Sequence, residues 1–99
     1  MRARVRLESP ARAADDLGGA SLAWANEGDV WAAIEAAGVG GAAAFDAAPS
    51  ISAYRFTIHR RDDLRAGWRV VWGDRVFRIV GVRDEGAARI ILNCEEERL

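Results

Sequence analysis

The chain has 99 residues, with 14 arginines and no lysine, 15 acidic residues, one histidine and a formal net charge of −1. That length predicts one domain, and the 51% hydrophobic and 29% charged content excludes a disordered tail. Charges that nearly cancel give no reason to expect a strong electrostatic grip on nucleic acid or an anionic membrane. A single cysteine, Cys94, forms no internal disulfide and suits a reducing compartment. Residues 1–10 lack the apolar block of a signal peptide. The longest weakly apolar run, residues 36–45, is too short to span a bilayer. The expectation is a small soluble intracellular domain.

The first segment alternates with a period of two. Ala3, Val5 and Leu7 point one way and Arg2, Arg4, Arg6 and Glu8 the other, which predicts a half-buried strand ended by Pro10. Residues 15–19, Asp-Asp-Leu-Gly-Gly, read as a turn. A second short strand covers residues 22–25, and Asn26-Glu27-Gly28-Asp29 reads as another turn. In a third strand, residues 30–35, Val30, Ala32 and Ile34 oppose Trp31, Ala33 and Glu35. Residues 36–50 read as a long loop with room for a short helix at 42–48, stopped by Pro49; disorder in isolation is the open alternative.

Alternation returns at Tyr54, where Tyr54, Phe56 and Ile58 oppose Arg55, Thr57 and His59. Residues 62–67 predict a turn, with space for one 3₁₀ turn capped by Asp62. Residues 68–72 and 75–83 flank Gly73-Asp74, a two-residue hairpin signal. Asp84-Glu85-Gly86 closes the next hairpin, residues 87–94 form the last strand, and the acidic tail 95–99 reads as solvated. The fold class is mainly β: a small β-barrel or sandwich of about seven short antiparallel strands with one long loop.

The search for chemistry finds no catalytic constellation. His59 and Cys94 are single residues outside any metal-binding spacing. His59, beside Arg60 and Arg61, reads as a surface residue, and Cys94, after Ile90-Ile91-Leu92, as a packed inert thiol. The serines lie in no nucleophile elbow. The acidic pairs Asp15/Asp16 and Asp62/Asp63 and the run 95–97 read as solvated rather than as general acids. Gly38-Val39-Gly40-Gly41 opens no βαβ unit and predicts no phosphate cradle. No catalytic residue, cofactor or metal site is expected. Four tryptophans, Trp24, Trp31, Trp68 and Trp72, read as barrel filling or as cover for a subunit contact. Trp68, Arg69 and Trp72 also leave open a surface that stacks single-stranded nucleic acid.

Taken in order, these landmarks resemble the phage head–tail joining (head closure, or stopper) family. Its opening strand of the type R-x-R-[VIL]-x-[LI] is matched by Arg2-Ala3-Arg4-Val5-Arg6-Leu7. Pro10 and an acidic-glycine turn before Trp24 come next. A V-W-A-x-[IV]-E block appears as Val30-Trp31-Ala32-Ala33-Ile34-Glu35, and an R-x-T-I-[RH] strand as residues 55–59. The hairpin from Arg69 to Ile79 and the closing Leu92-Asn93-Cys94-Glu95-Glu96 complete the match, over residues 2–96. The chain departs from the family in the middle, where a polar helix is replaced by residues 38–48 with the single charge Asp46. Relatives of these neck proteins also occur in gene transfer agents, phage-like particles encoded in bacterial chromosomes.

The resemblance implies a structural neck component of a phage or gene transfer agent, assembled in the bacterial cytoplasm. Such a component forms a ring of six or twelve copies between the portal or adaptor ring and the tail terminator or tail tube. It helps retain packaged double-stranded DNA without sequence-specific binding, needs no cofactor and touches no membrane. An adaptor or tail terminator is the neighbouring alternative. Two site expectations follow. Arg2, Arg4 and Arg6, on the exposed face of the first strand, are expected to meet acids of a neighbouring subunit. In the long loop, Gly38, Gly40 and Gly41 are expected to act as hinges for a gating or docking element that includes Ala42, Phe45 and Asp46.

Overall fold

A computed structural model describes residues 1–14, 20–37 and 53–97, with only the backbone described for 12–14 and 20–22. Six antiparallel strands account for almost all of it: β1 Arg2–Ala14, β2 Ala20–Ala36, β3 Ala53–His59, β4 Arg69–Trp72, β5 Arg75–Glu85 and β6 Arg89–Glu97. They close into a barrel in the order β1-β2-β3-β6-β5-β4, and a short β1–β4 ladder, Arg6–Val71 to Glu8–Arg69, seals it. The interior of a barrel this small is filled by side chains. The period-two pattern supplies them. Val5, Leu7, Ala32, Ile34, Phe56, Ile58, Val70, Phe77, Ile79, Ile90, Leu92 and Cys94 are all buried. Phe56 and Phe77 meet edge to face with ring centroids 5.0 Å apart, an arrangement worth about 0.5–1.5 kcal/mol beyond its buried area.

The barrel class agrees with expectation, but several boundaries do not. The expected second and third strands are one 17-residue strand, β2. Asn26 to Asp29 does not reverse the chain, because β1 pairs with β2 on both sides of it. Arg6 stands opposite Asp29 and Glu8 opposite Asn26, so Glu27 and Gly28 together oppose Leu7 as a β-bulge. Gly28 supplies the positive φ of 105° there, and its N–H donates to Asn26 Oδ1 at 2.8 Å. Sequence alone reads this Asn-Glu-Gly-Asp cluster as a turn, since bulges and turns recruit the same residues.

Pro10 does not end β1, which continues to Ala14. Beyond Glu8 this strand has a partner on one side only, and an edge of that kind tolerates a residue without an N–H donor. The last hairpin turns at residues 86–88 rather than 84–86, with Gly86 at φ 67°. Glu95 to Glu97 belong to β6 and are not a solvated tail; residues 98–99 lie outside the described residues. The segment 60–68 contains no 3₁₀ turn, and its Leu64 dips into the core. The expected hairpin at Gly73-Asp74 is present, with Gly73 at φ 64° and Trp72 paired to Arg75.

Candidate assembly surface

The outward residues of neighbouring strands line up around the barrel. Arg4 on β1 is paired with Trp31 on β2, and His59 on β3 with Arg89 on β6. Between those two pairs the ladder is missing. β2 and β3 are paired only from Ala33–Thr57 to Ala36–Tyr54, so they separate at Trp31 and His59. The separation opens a cleft of about 230 Å³ lined by Arg2, Trp31, Ala33, Thr57, Ile58, His59 and Arg89. Trp31 stands 58% exposed beside it. Three basic side chains and no carboxylate line this cleft.

Arg2, Arg4 and Arg6 share the exposed face of β1, as the alternation requires. Arg4 and Arg6 lean on Asp29 at 4.0 Å each, and Arg6 also lies 3.6 Å from Glu8. The two Asp29 contacts are long and solvated, worth at most about 1 kcal/mol each. Glu8, expected outside with the arginines, is only 8% exposed. Arg69 covers it, with Nε donating to Oε1 at 2.6 Å. The same guanidinium stacks over Trp24 with its carbon 4.3 Å from the ring centroid.

The other tryptophans divide differently from what composition suggests. Trp68 and Trp72 are half-buried and pack against the core. With Arg69 occupied by Glu8 and Trp24, the three residues considered for nucleic-acid stacking present no open platform. Trp31 alone among the described tryptophans is exposed. The alternation places it outside, but nothing in one sequence separates it from a tryptophan covered by a neighbouring element.

Among the described residues, Arg75, Asp63 and Cys94 are shifted from their ordinary values. Arg75 is held more firmly charged than usual by the hydrogen bonds it donates to Glu96 and then to Tyr54. Arg61 forks onto Asp63 at 2.9 and 3.1 Å, and this hydrogen bonding holds the carboxyl below its usual value. Burial pushes the Cys94 thiol up to about 12, and the sulfur donates to the Leu92 carbonyl. Cys94 and His59 sit at opposite ends of the β3–β6 ladder and make no dyad. Among the described residues, no group of three or more histidine, cysteine, aspartate or glutamate side chains could hold a metal ion. The expected loop residues Gly38, Gly40, Gly41, Ala42, Phe45 and Asp46 lie outside the described residues.

The protein is thus a small closed barrel with a basic cleft and an exposed tryptophan on its outer face. Residues 1–97 match the family model of the phage head completion protein, and the chain belongs to that family, a structural component of the phage head or neck. A chain in the virion of a native gene transfer agent particle is similar at 26% identity, with TM-score 0.69 over 97% of this chain and 94% of that one. A Shigella flexneri 2a protein solved in solution is similar at 25% identity, with TM-score 0.71 over 94% and 89%. No curated protein matches the chain.

Proposed function

We propose that the protein forms a ring in the neck of a phage or gene transfer agent particle, between the portal or adaptor side and the tail. There it helps retain packaged DNA and provides the surface on which the tail docks. The observation that carries this reading is the end-to-end match: the family model spans residues 1–97, and nearly the whole chain aligns with a protein of an assembled gene transfer agent virion. The DNA passes without sequence-specific contact, in keeping with a net charge of −1 and the absence of an open stacking platform among the described residues.

Arg2, Arg4 and Arg6 contribute to the contact between neighbouring subunits. Exposed arginines on a rigid strand can fork onto carboxylates of an adjoining copy, and arginine is enriched where interfaces carry most of their energy. Replacing all three with glutamate is expected to leave the thermal unfolding of the free protein nearly unchanged. The same variant should give heads that lose DNA or lack tails when particles are purified and imaged. Particles of normal yield and form would remove this face from the contact.

A further inference from the structure

The cleft between β2 and β3 has a composition that its own chain does not satisfy. Arg2 and Arg89 make no salt bridge with any described residue, although most arginines of this protein do. Between them stands Trp31, which has no described ring or cation partner. Arginine and tryptophan around a concave, incompletely covered site are what a protein partner uses as anchors. A DNA duplex would meet the arginines but offers the indole no open base to stack on, so a carboxylate-bearing protein segment fits better.

The same chain carries such a segment. Asp74 lies in the β4–β5 turn, and Glu97 stands opposite Val76 in the β5–β6 ladder, two residues from that turn. Neither has an ion-pair partner among the described residues. The other unpaired acids do not qualify. Glu85 flanks the cleft itself, opposite Arg89, Glu27 accepts from the Ser9 hydroxyl, and Asp62 lies beside Asp63 and its partner Arg61. The strand order places the two features favourably: around β1-β2-β3-β6-β5-β4, the β2–β3 junction lies diametrically across from the β5–β4 junction. A receiving surface on one side and a giving surface on the other is the requirement for a head-to-tail contact that closes into a ring.

We infer that the Trp31 cleft receives the Asp74–Glu97 corner of a second copy of this chain, with Arg2 and Arg89 pairing to its carboxylates. This deepens the ring reading and rests on it. The test is charge exchange in the full-length protein during particle assembly. Arg2→Glu with Arg89→Glu, and separately Asp74→Arg with Glu97→Arg, should each cut the yield of complete particles by about tenfold or more, because like charges then face each other. Thermal unfolding of each purified variant shows that it still folds. The quadruple variant, with both surfaces reversed, should recover most of the yield, an outcome that loss of contact with any other partner would not produce. Normal assembly of either double variant, or no recovery in the quadruple variant, overturns the inference. Mass spectrometry of wild-type particles separates the two levels. Absence of the chain from the particle removes the ring reading itself, whereas its presence with failed recovery removes only this docking.

Discussion

Arg75 grips Glu96 with both arms of its guanidinium, Nε to Oε2 at 2.8 Å and Nη2 to Oε1 at 3.0 Å. Nη2 also donates to the Tyr54 hydroxyl at 3.0 Å. The guanidinium carbon lies 5.2, 5.0 and 5.1 Å from the ring centroids of Tyr54, Trp72 and Phe77. This one side chain therefore closes an end of the barrel, joining β3, β4, β5 and β6 over the aromatic part of the core. It also explains why the acidic end of β6 is not a loose tail. Glu96, with its side chain only 14% exposed, is drawn down onto the barrel by its partner.

Arg75→Ala should lower stability by about 1–2 kcal/mol, the size expected of a charge-assisted pair and ring contacts discounted for partial solvent exposure. Arg75→Lys should recover less than half of the loss, since an ammonium makes neither the fork nor the flat ring contact. Urea unfolding of the three proteins measures both. Equal stability of the arginine and lysine forms would show that charge alone matters here.

The Glu8–Arg69 pair sits where the barrel closes, since the two residues are partners in the short β1–β4 ladder. Arg69→Ala leaves a nearly buried carboxylate with only Arg6 at 3.6 Å, and is expected to cost about 2–3 kcal/mol. In a domain of this size that corresponds to a fall of about 10 °C or more in the unfolding midpoint. Glu8→Gln in the Arg69→Ala background should restore part of the loss by removing the stranded charge. A thermal melt of the double variant lower than that of Arg69→Ala would contradict this account.

Cys94 makes stability depend on alkaline pH. Its thiol is pushed from 9.0 to about 12 by burial, so an unfolded chain gives up this proton near pH 9 while the folded chain keeps it. The unfolded state then binds fewer protons, and stability falls as the pH rises from about 9 toward 12. The loss reaches about 1.4 kcal/mol by pH 10. Cys94→Ala, although less stable at neutral pH, lacks this component. The stability gap between the two proteins should therefore narrow by about that amount between pH 8 and pH 10 in urea titrations. A constant gap would mean that the thiol ionises in place.

Much of the barrel was legible because its residues obey the simplest rule of strands. Inward Val5 and Leu7, Phe56 and Ile58, and Ile90 and Leu92 alternate with outward polar groups, and Gly73-Asp74 marks its own hairpin. The exposed face of Arg2, Arg4 and Arg6 was readable for the same reason. The errors fell where one residue type serves two geometries. Gly28 forms a bulge rather than a turn, Pro10 lies within a strand edge rather than at a strand end, and Glu96 is an ion-pair partner rather than a tail residue.

The sequence by itself determined a mainly β fold, barrel or sandwich, the inward and outward faces of most of its strands, and kinship with phage head and neck proteins, because periodicity and the order of landmarks are local and survive without coordinates. Only the tertiary structure decided that Glu8 is buried under Arg69, that Trp68 and Trp72 turn to the core while Trp31 stands free, and that β2 and β3 part at a basic cleft. Those outcomes depend on which strands become neighbours and where their ladders stop. Ladder ends arise from closing six strands into a ring, and side-chain alternation along any one strand carries no record of them.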